Sequence, residues 1–213
     1  MDILLQQILN GLVLGSIYAL IALDYTMVYG IMGLINFAHG EVTMIGAMVT
    51  ISVLGVFSSM GLALPGPVLV LMALMVAVPT CMLVGFLIER VAYRPLRNAP
   101  RLAPLITAIG LSIVLQNVAI LIWGRNYIPF PSLLPHNPID VFGASITDLQ
   151  VVIIVLAIAI MAGLLLMTEK SKLGRAMRAT SQNPAVAGLM GVNVNSVISA
   201  TFVIGAGLGA VAG

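Results

Sequence analysis

The chain has 213 residues, of which 61% are hydrophobic and 8% charged, with a formal net charge of +2; a soluble domain carries about 25% charged residues. Mean hydropathy is +1.15, and apolar runs of about 18 residues or more recur along the chain, each long enough to cross a hydrocarbon core of about 30 Å as a helix. These features exclude an ordinary soluble domain and a transmembrane β-barrel, whose segments are short and alternate, and they leave nucleic acid without a basic domain to bind.

The first apolar segment, Ile3–Ile35, begins without a basic n-region and is expected to stay in the mature protein. As one helix it would be roughly 50 Å long, so a single long helix, tilted or broken near Gly30 and Gly33, with its N-terminus outside, is preferred over two short crossings. Asp24 interrupts this segment, and a carboxylate there must be paired, hydrated or protonated. It is read either as a polar group in a pathway or as an acid held between helices.

The run Asn36-Phe37-Ala38-His39-Gly40-Glu41 then places polar side chains between two apolar segments. At the membrane surface it would be a turn with His39 and Glu41 solvated. Within the bilayer it would be non-helical backbone lining a cavity, with the next helix presenting its N-terminus to an anionic carboxylate. Asn36, His39, Glu41 and Asp24 are therefore the candidate pathway residues. One His and one Glu two positions apart do not complete a metal site, and the other histidine, His136, is far along the chain.

Further spans are expected at Val42–Ser59, Val68–Ile88, Pro104–Trp123, Val151–Thr168 and Val194–Gly213, giving about six in all. Cys81, the single cysteine, is read as a small buried apolar side chain, and Gln116 and Asn117 as interhelical hydrogen-bonding groups. Eight of the nine basic residues fall in two windows, Arg90, Arg94, Arg97, Arg101 and Lys170, Lys172, Arg175, Arg178. The positive-inside rule makes both cytoplasmic, in loops of about 89–103 and 169–193, and makes the loop of about 124–150 external. Pro129, Pro131, Pro135 and Pro138 keep that external loop from forming a regular helix. Gly11 with Gly15, and Gly205, Gly209 and Gly213, have the spacing of close helix contacts in lipid.

In the second basic loop Asn183 suits an N-cap, Pro184 the first helical position and Gly191 the C′ position of a helix of about two turns. A short capped helix at the cytoplasmic face suits insertion into a groove of a partner. The chain has no phosphate loop of the GxxxxGK[ST] kind, so ATP would have to be bound by another polypeptide.

The stretch GLVLGSIYALIALDYTMVYGIMGLINFAHGE, with IERVAYRPLR, LITAIGLSIVLQN and KLGRAMRATSQNPAVAGLMGVNVNSVISATFVIGA, resembles the permease subunits of branched-chain amino acid ABC importers over essentially the whole chain. The resemblance implies an all-α helical bundle, residues 1–213 forming one transmembrane permease domain of the bacterial inner membrane and no enzyme. It also implies a homologous permease partner, two cytoplasmic ATPase subunits that bind the ATP, and a periplasmic amino-acid-binding protein. The ATPase-coupling loop maps onto Arg175 through Gly191, with Arg175, Arg178, Ala185, Ala187 and Gly191 as its marked positions; Ala185 stands where many ABC permeases carry an acid. Members usually carry Gly in place of Asp24 and continue well beyond Gly213, so a chain lacking its C-terminal third is expected. Urea and amide permeases belong to the same broad family, and a non-conducting scaffold or a membrane-embedded enzyme using His39, Glu41 and Asp24 are the other readings weighed.

Overall fold

The computed structural model describes residues 2–61, 65–97, 99–100, 102–130, 138–141 and 144–213; Arg101, Pro131, Pro135 and His136 lie outside the described residues. Helix α1 (Asp2–Met32) is one unbroken helix, and it stops where Gly33 takes a φ of +62°, a conformation that costs little without a Cβ. After the bend, α2 (His39–Ser59) begins within the polar run. Helix α3 (Gly66–Leu87) does not end where the basic loop was expected: it runs on through a π turn (Ile88–Tyr93) and a 3₁₀ turn (Arg94–Leu96). The widened turn carries Ile88, Glu89 and Tyr93 into the protein, and their burial keeps the segment helical.

Helix α4 (Leu102–Trp123) follows, and then a two-stranded antiparallel hairpin of β1 (Pro138–Val141) and β2 (Ala144–Thr147), with Pro138 opposite Thr147. The hairpin is the one sheet among the described residues, and it lies in the proline-rich loop. The Gln6 side chain ties it to α1, accepting from the Ser145 N–H at 2.8 Å and donating to the Ser145 carbonyl at 3.0 Å. Thr147 and Gln150 then close a capping box at the start of α5 (Asp148–Lys170). Two short helices, α6 (Lys172–Gln182) and α7 (Pro184–Leu189), lead to α8 (Val194–Ala212).

Among the described residues six helices are long and apolar enough to cross a membrane, which makes the chain a polytopic helical membrane protein. Helix α8 is the axis of the bundle: it packs on α1, α2 and α3 and is half buried, whereas α4 and α5 sit at the periphery with most of their apolar surface facing outward. Lipid takes the place of the missing neighbours on such faces, so association rests on close packing and polar contacts rather than on withdrawal from water. Small residues supply the close packing. A Cβ on Gly85 would stand 2.5 Å from the Ala206 Cβ and 2.9 Å from the Phe202 carbonyl oxygen, and one on Gly46 would stand 2.8 Å from the Ala210 Cα and 3.3 Å from the Cys81 sulfur. Cys81 is fully buried, with its thiol 3.5 Å from the Val42 carbonyl.

Gly205, Gly209 and Gly213 likewise face side chains or backbone of α1 and α2, but positions corresponding to a Cβ on Gly11 or Gly15 have no neighbour within 4 Å among the described residues. The same spacing therefore serves contact in α8 and not, in this chain, in the first half of α1. Gly85→Ala is expected to force α3 and α8 apart and cost about 1–3 kcal/mol, seen as a lower Tm of the purified chain. Gly11→Ala is expected to leave Tm unchanged or raise it, since Ala is the better helix former.

Candidate functional site

The polar run between α1 and α2 turns inward. Asn36, Ala38 and His39 are buried, while Phe37 and Gly40 point away from the core. Asn36 Oδ1 accepts from the Tyr93 hydroxyl at 2.7 Å and from the Ala38 N–H at 3.1 Å, so one amide oxygen fixes the bend locally and ties it to the π turn that ends α3. Tyr93 in turn lies against Phe202 of α8, with ring centroids 5.3 Å apart.

His39 Nε2 and Asp24 Oδ2 form a buried hydrogen-bonded pair between α2 and α1. The edge of the Tyr25 ring meets the imidazole, with centroids 4.8 Å apart. Gly205 and Gly209 of α8 form the opposite wall: a Cβ on Gly205 would come within 2.8 Å of Asp24 Oδ1, and one on Gly209 within 3.0 Å of Thr43 Oγ1 and 3.2 Å of Asp24 Oδ2. Asp24 Oδ1 and Thr43 Oγ1 are buried without a hydrogen-bond partner among the described residues. Three helices thus meet around one carboxylate at a depth where only small residues of α8 let them approach.

Glu41 is placed differently. It is partly exposed, and its Oε1 accepts from Ser112 Oγ at 2.9 Å and Gln116 Nε2 at 2.6 Å on α4. Gln116 therefore bonds across helices as its position inside an apolar span suggested, whereas Asn117 donates within its own helix to the Ile113 carbonyl. Of the four candidate pathway residues the structure brings Asp24 and His39 into contact, keeps Asn36 on the adjoining bend, and sets Glu41 on the α2–α4 seam. Among the described residues no three His, Cys, Asp or Glu side chains converge as a metal would require.

A second buried charge was not singled out from the sequence. Glu89 is fully buried; it pairs with Arg97 through Oε1 and accepts from Ser199 Oγ through Oε2, while Arg97 also donates to Asn195 Oδ1. This cluster fastens the end of α3 to the start of α8. The signal available was the spacing of Glu89 and Arg97 at the edge of a span, but their position in a basic window reads as solvated loop.

The second basic loop is two helices, not one. Ser171 caps α6 by accepting from the Gly174 N–H at 2.9 Å, and Gly174, Met177 and Thr180 form its buried stripe. Arg175 and Arg178 turn back onto α5: Arg175 donates to the Lys170 carbonyl at 3.0 Å, and Arg178 to the carbonyls of Thr168 and Glu169. These last carbonyls of a helix lack partners within it, and a guanidinium there also complements the dipole. Helix α7 has the caps expected of it. Asn183 Oδ1 accepts from the N–H groups of Ala185 and Val186, and Gly191 has a φ of +84°. The Val192 N–H reaches the Ala187 carbonyl and the Gly191 N–H the Gly188 carbonyl, the paired bonds of a Schellman motif. Ala187 is buried and Ala185 exposed, while Val186, Leu189 and Met190 project outward, 52%, 88% and 81% exposed. Their spacing of three and four was legible in the sequence as an apolar stripe, but the positions marked there were Arg175, Arg178, Ala185, Ala187 and Gly191 and not these three.

Removing either member of the Asp24–His39 pair leaves the other's polar atoms buried and unpaired, which costs about 1–3 kcal/mol. Asp24→Ala and His39→Ala are each expected to lower Tm, and the double variant to cost less than the sum of the two; a strictly additive result would show that the pair is not coupled.

Residues 7–213 match the family model described as the permease component of the branched-chain amino acid transport system. The high-affinity branched-chain amino acid transport system permease protein BraD of Pseudomonas aeruginosa is 48% identical over 214 residues, covering 98% of this chain and 69% of that protein. The corresponding permease LivH of Escherichia coli K12 is 46% identical over 213 residues with the same coverages. A probable LivH of Methanocaldococcus jannaschii is 27% identical over 209 residues, covering 98% of this chain and 65% of that protein. No solved structure matches. On this evidence the chain belongs to the permease-component family of branched-chain amino acid transport systems.

Proposed function

We propose that this chain is the membrane-spanning permease subunit of an ATP-driven importer that moves branched-chain amino acids across the bacterial inner membrane. It works with a homologous permease, two cytoplasmic ATPase subunits and a periplasmic binding protein, and it performs no chemistry on its cargo. Family membership supports the transport reading, and one structural observation carries the energy-coupling part of it: the projecting apolar tip of α7.

The physical logic runs from the tip inward. Val186, Leu189 and Met190 stand out from a helix too short to be held by its own hydrogen bonds, so the Asn183 cap and the Gly191 turn set its shape. Exposed apolar side chains on such a tip suit a groove in an ATPase subunit. Ala187, buried at its base, passes displacement on to the start of α8 and to α6. Arg175 and Arg178 hold α6 against the end of α5, so their role is to keep the lever attached to its spans rather than to touch the ATPase.

Helix α8 also forms the wall of the Asp24–His39 pair, so movement at the cytoplasmic end bears on the α1–α2–α8 seam. Asp24, Asn36 and His39 lie on that seam and become accessible to a substrate only when the helices part. Glu41, partly exposed at the neighbouring α2–α4 seam, is the member of the set already near an open surface.

Leu189→Ser/Met190→Ser is expected to leave Tm unchanged, because neither side chain is packed, and to weaken ATPase co-purification or stimulated ATP hydrolysis by about tenfold or more, the scale of losing buried apolar anchors. Unchanged binding and unchanged stimulation would remove α7 as the coupling element.

A further inference from the structure

A small polar cavity of about 370 Å³ lies where the end of α3 meets the start of α8, lined by Arg90, Arg94, Asn193, Asn195, Ser196 and Ser199. Its charge balance is one-sided. Among the described residues the carboxylates within pairing distance of a basic side chain are Asp24, beside His39, and Glu89, beside Arg97, and the guanidinium groups of Arg90 and Arg94 meet no carboxylate. Glu89 is already taken by Arg97 and Ser199, so Arg90, Arg94 and Arg97 against Glu89 leave a local excess of two positive charges.

The neutral groups add donors. The Asn193 carbonyl oxygen is used by the Ser196 N–H, which leaves its amide NH₂ free to donate, and the Ser196 hydroxyl has no partner among the described residues. The first turn of α8, with its unshared N–H groups, forms the same wall. Two unpaired arginines, an amide donor, a hydroxyl and a helix N-terminus converging on one cavity form a site for an anion bearing several acceptor oxygens.

The surroundings name the source of that anion. Phe86 also lines the cavity, and Phe86, Leu87 and Val91 are 39%, 48% and 71% exposed, so an apolar face runs directly beside the arginines. Such an edge, half guanidinium and half hydrocarbon, is where the headgroup region meets the acyl chains. The charge pattern sets it on the cytoplasmic side, where basic pockets between membrane helices take anionic headgroups. The projecting α7 tip, proposed above as the ATPase contact, is a separate feature.

We propose that Arg90, Arg94, Asn193 and Ser196 bind the phosphate of an anionic phospholipid of the inner leaflet, whose acyl chains lie along Phe86, Leu87 and Val91. A lipid held there joins the α3 end to the α8 start from outside, next to the Glu89–Arg97 cluster that joins them from inside.

The test is native mass spectrometry of the full chain in detergent, titrated with dioleoylphosphatidylglycerol, dioleoylphosphatidylcholine or inorganic phosphate. The wild-type chain should retain phosphatidylglycerol in preference to phosphatidylcholine, and millimolar phosphate should not displace it. Arg90→Gln/Arg94→Gln should weaken phosphatidylglycerol binding by about tenfold or more, since a cation at the membrane surface contributes about 1 kcal/mol, while Arg125→Gln should not. Ser196→Leu, which fills the cavity instead of removing charge, gives the same loss by a second route. Retention of phosphatidylglycerol by both cavity variants at wild-type Tm would overturn the site. Displacement by phosphate would make it a free-anion site and overturn the lipid. Loss of ATPase co-purification with lipid retention unchanged would assign the arginines to a protein partner.

Discussion

A chain that carries carboxylates into a bilayer must bring their partners with it, because no water is there to supply the missing hydrogen bonds. Helix α8 meets that constraint for this protein. Its small residues, Gly205, Ala206, Gly209 and Ala210, let α1, α2 and α3 approach so closely that Asp24 reaches His39, and its first turns offer Ser199 and Asn195 to the Glu89–Arg97 pair. The Glu89–Arg97 ion pair and the Asp24–His39 hydrogen-bonded pair, on either part of the same helix, are costly to desolvate, and each is favourable only if both partners arrive together. Packing and polar contacts are thus a single requirement: widening the α8 contact by one methyl group separates the helices that complete the pairs.

The same arrangement explains how a displacement at one end of the molecule is felt in its middle. The loop from Ser171 to Asn193 is not a flexible tether. It is a capped helix clamped to α5 by two arginines, followed by a shorter one closed by a glycine turn, with apolar side chains left pointing outward. Rigid elements transmit displacement, and the element they lead into is α8. On this account the transport cycle moves α8 against the α1–α2 seam, and the buried polar groups of that seam are the contacts that have to be exchanged.

Much of the architecture was legible before any coordinates, because bilayer thickness imposes a length and an apolar content that composition exposes directly. The six spans and the Asn183, Pro184 and Gly191 caps of α7 follow from local rules that tertiary context has little reason to override, whereas the first segment, read to Ile35 with a break near Gly30 and Gly33, is a helix that stays whole as far as Met32. What was not legible depends on three-dimensional pairing. Glu89, Arg94 and Arg97 sit in one basic window, and nothing in their order says that the helix widens into a π turn, buries the acid and leaves Arg90 and Arg94 unpaired. Arg175 and Arg178 look like partner contacts in sequence, but the carbonyls that end α5 lie within their reach. The glycine spacing that marks a contact in α8 marks none within the described residues at Gly11 and Gly15, since spacing says that close approach is allowed and not that a neighbour is there. The cost of Asp24 called for a partner or for water without choosing between a pathway and a helix contact, and its partner, His39, comes from the far side of the bend.

The most direct measurement is ATP-driven uptake of radiolabelled leucine into proteoliposomes that contain this chain with its homologous permease, the ATPase subunits and the binding protein. The account predicts uptake that competes with isoleucine and valine and is abolished when ATP is withheld. Assembly of the complex with ATP hydrolysis but no leucine uptake, or uptake of urea or an amide in its place, would contradict it.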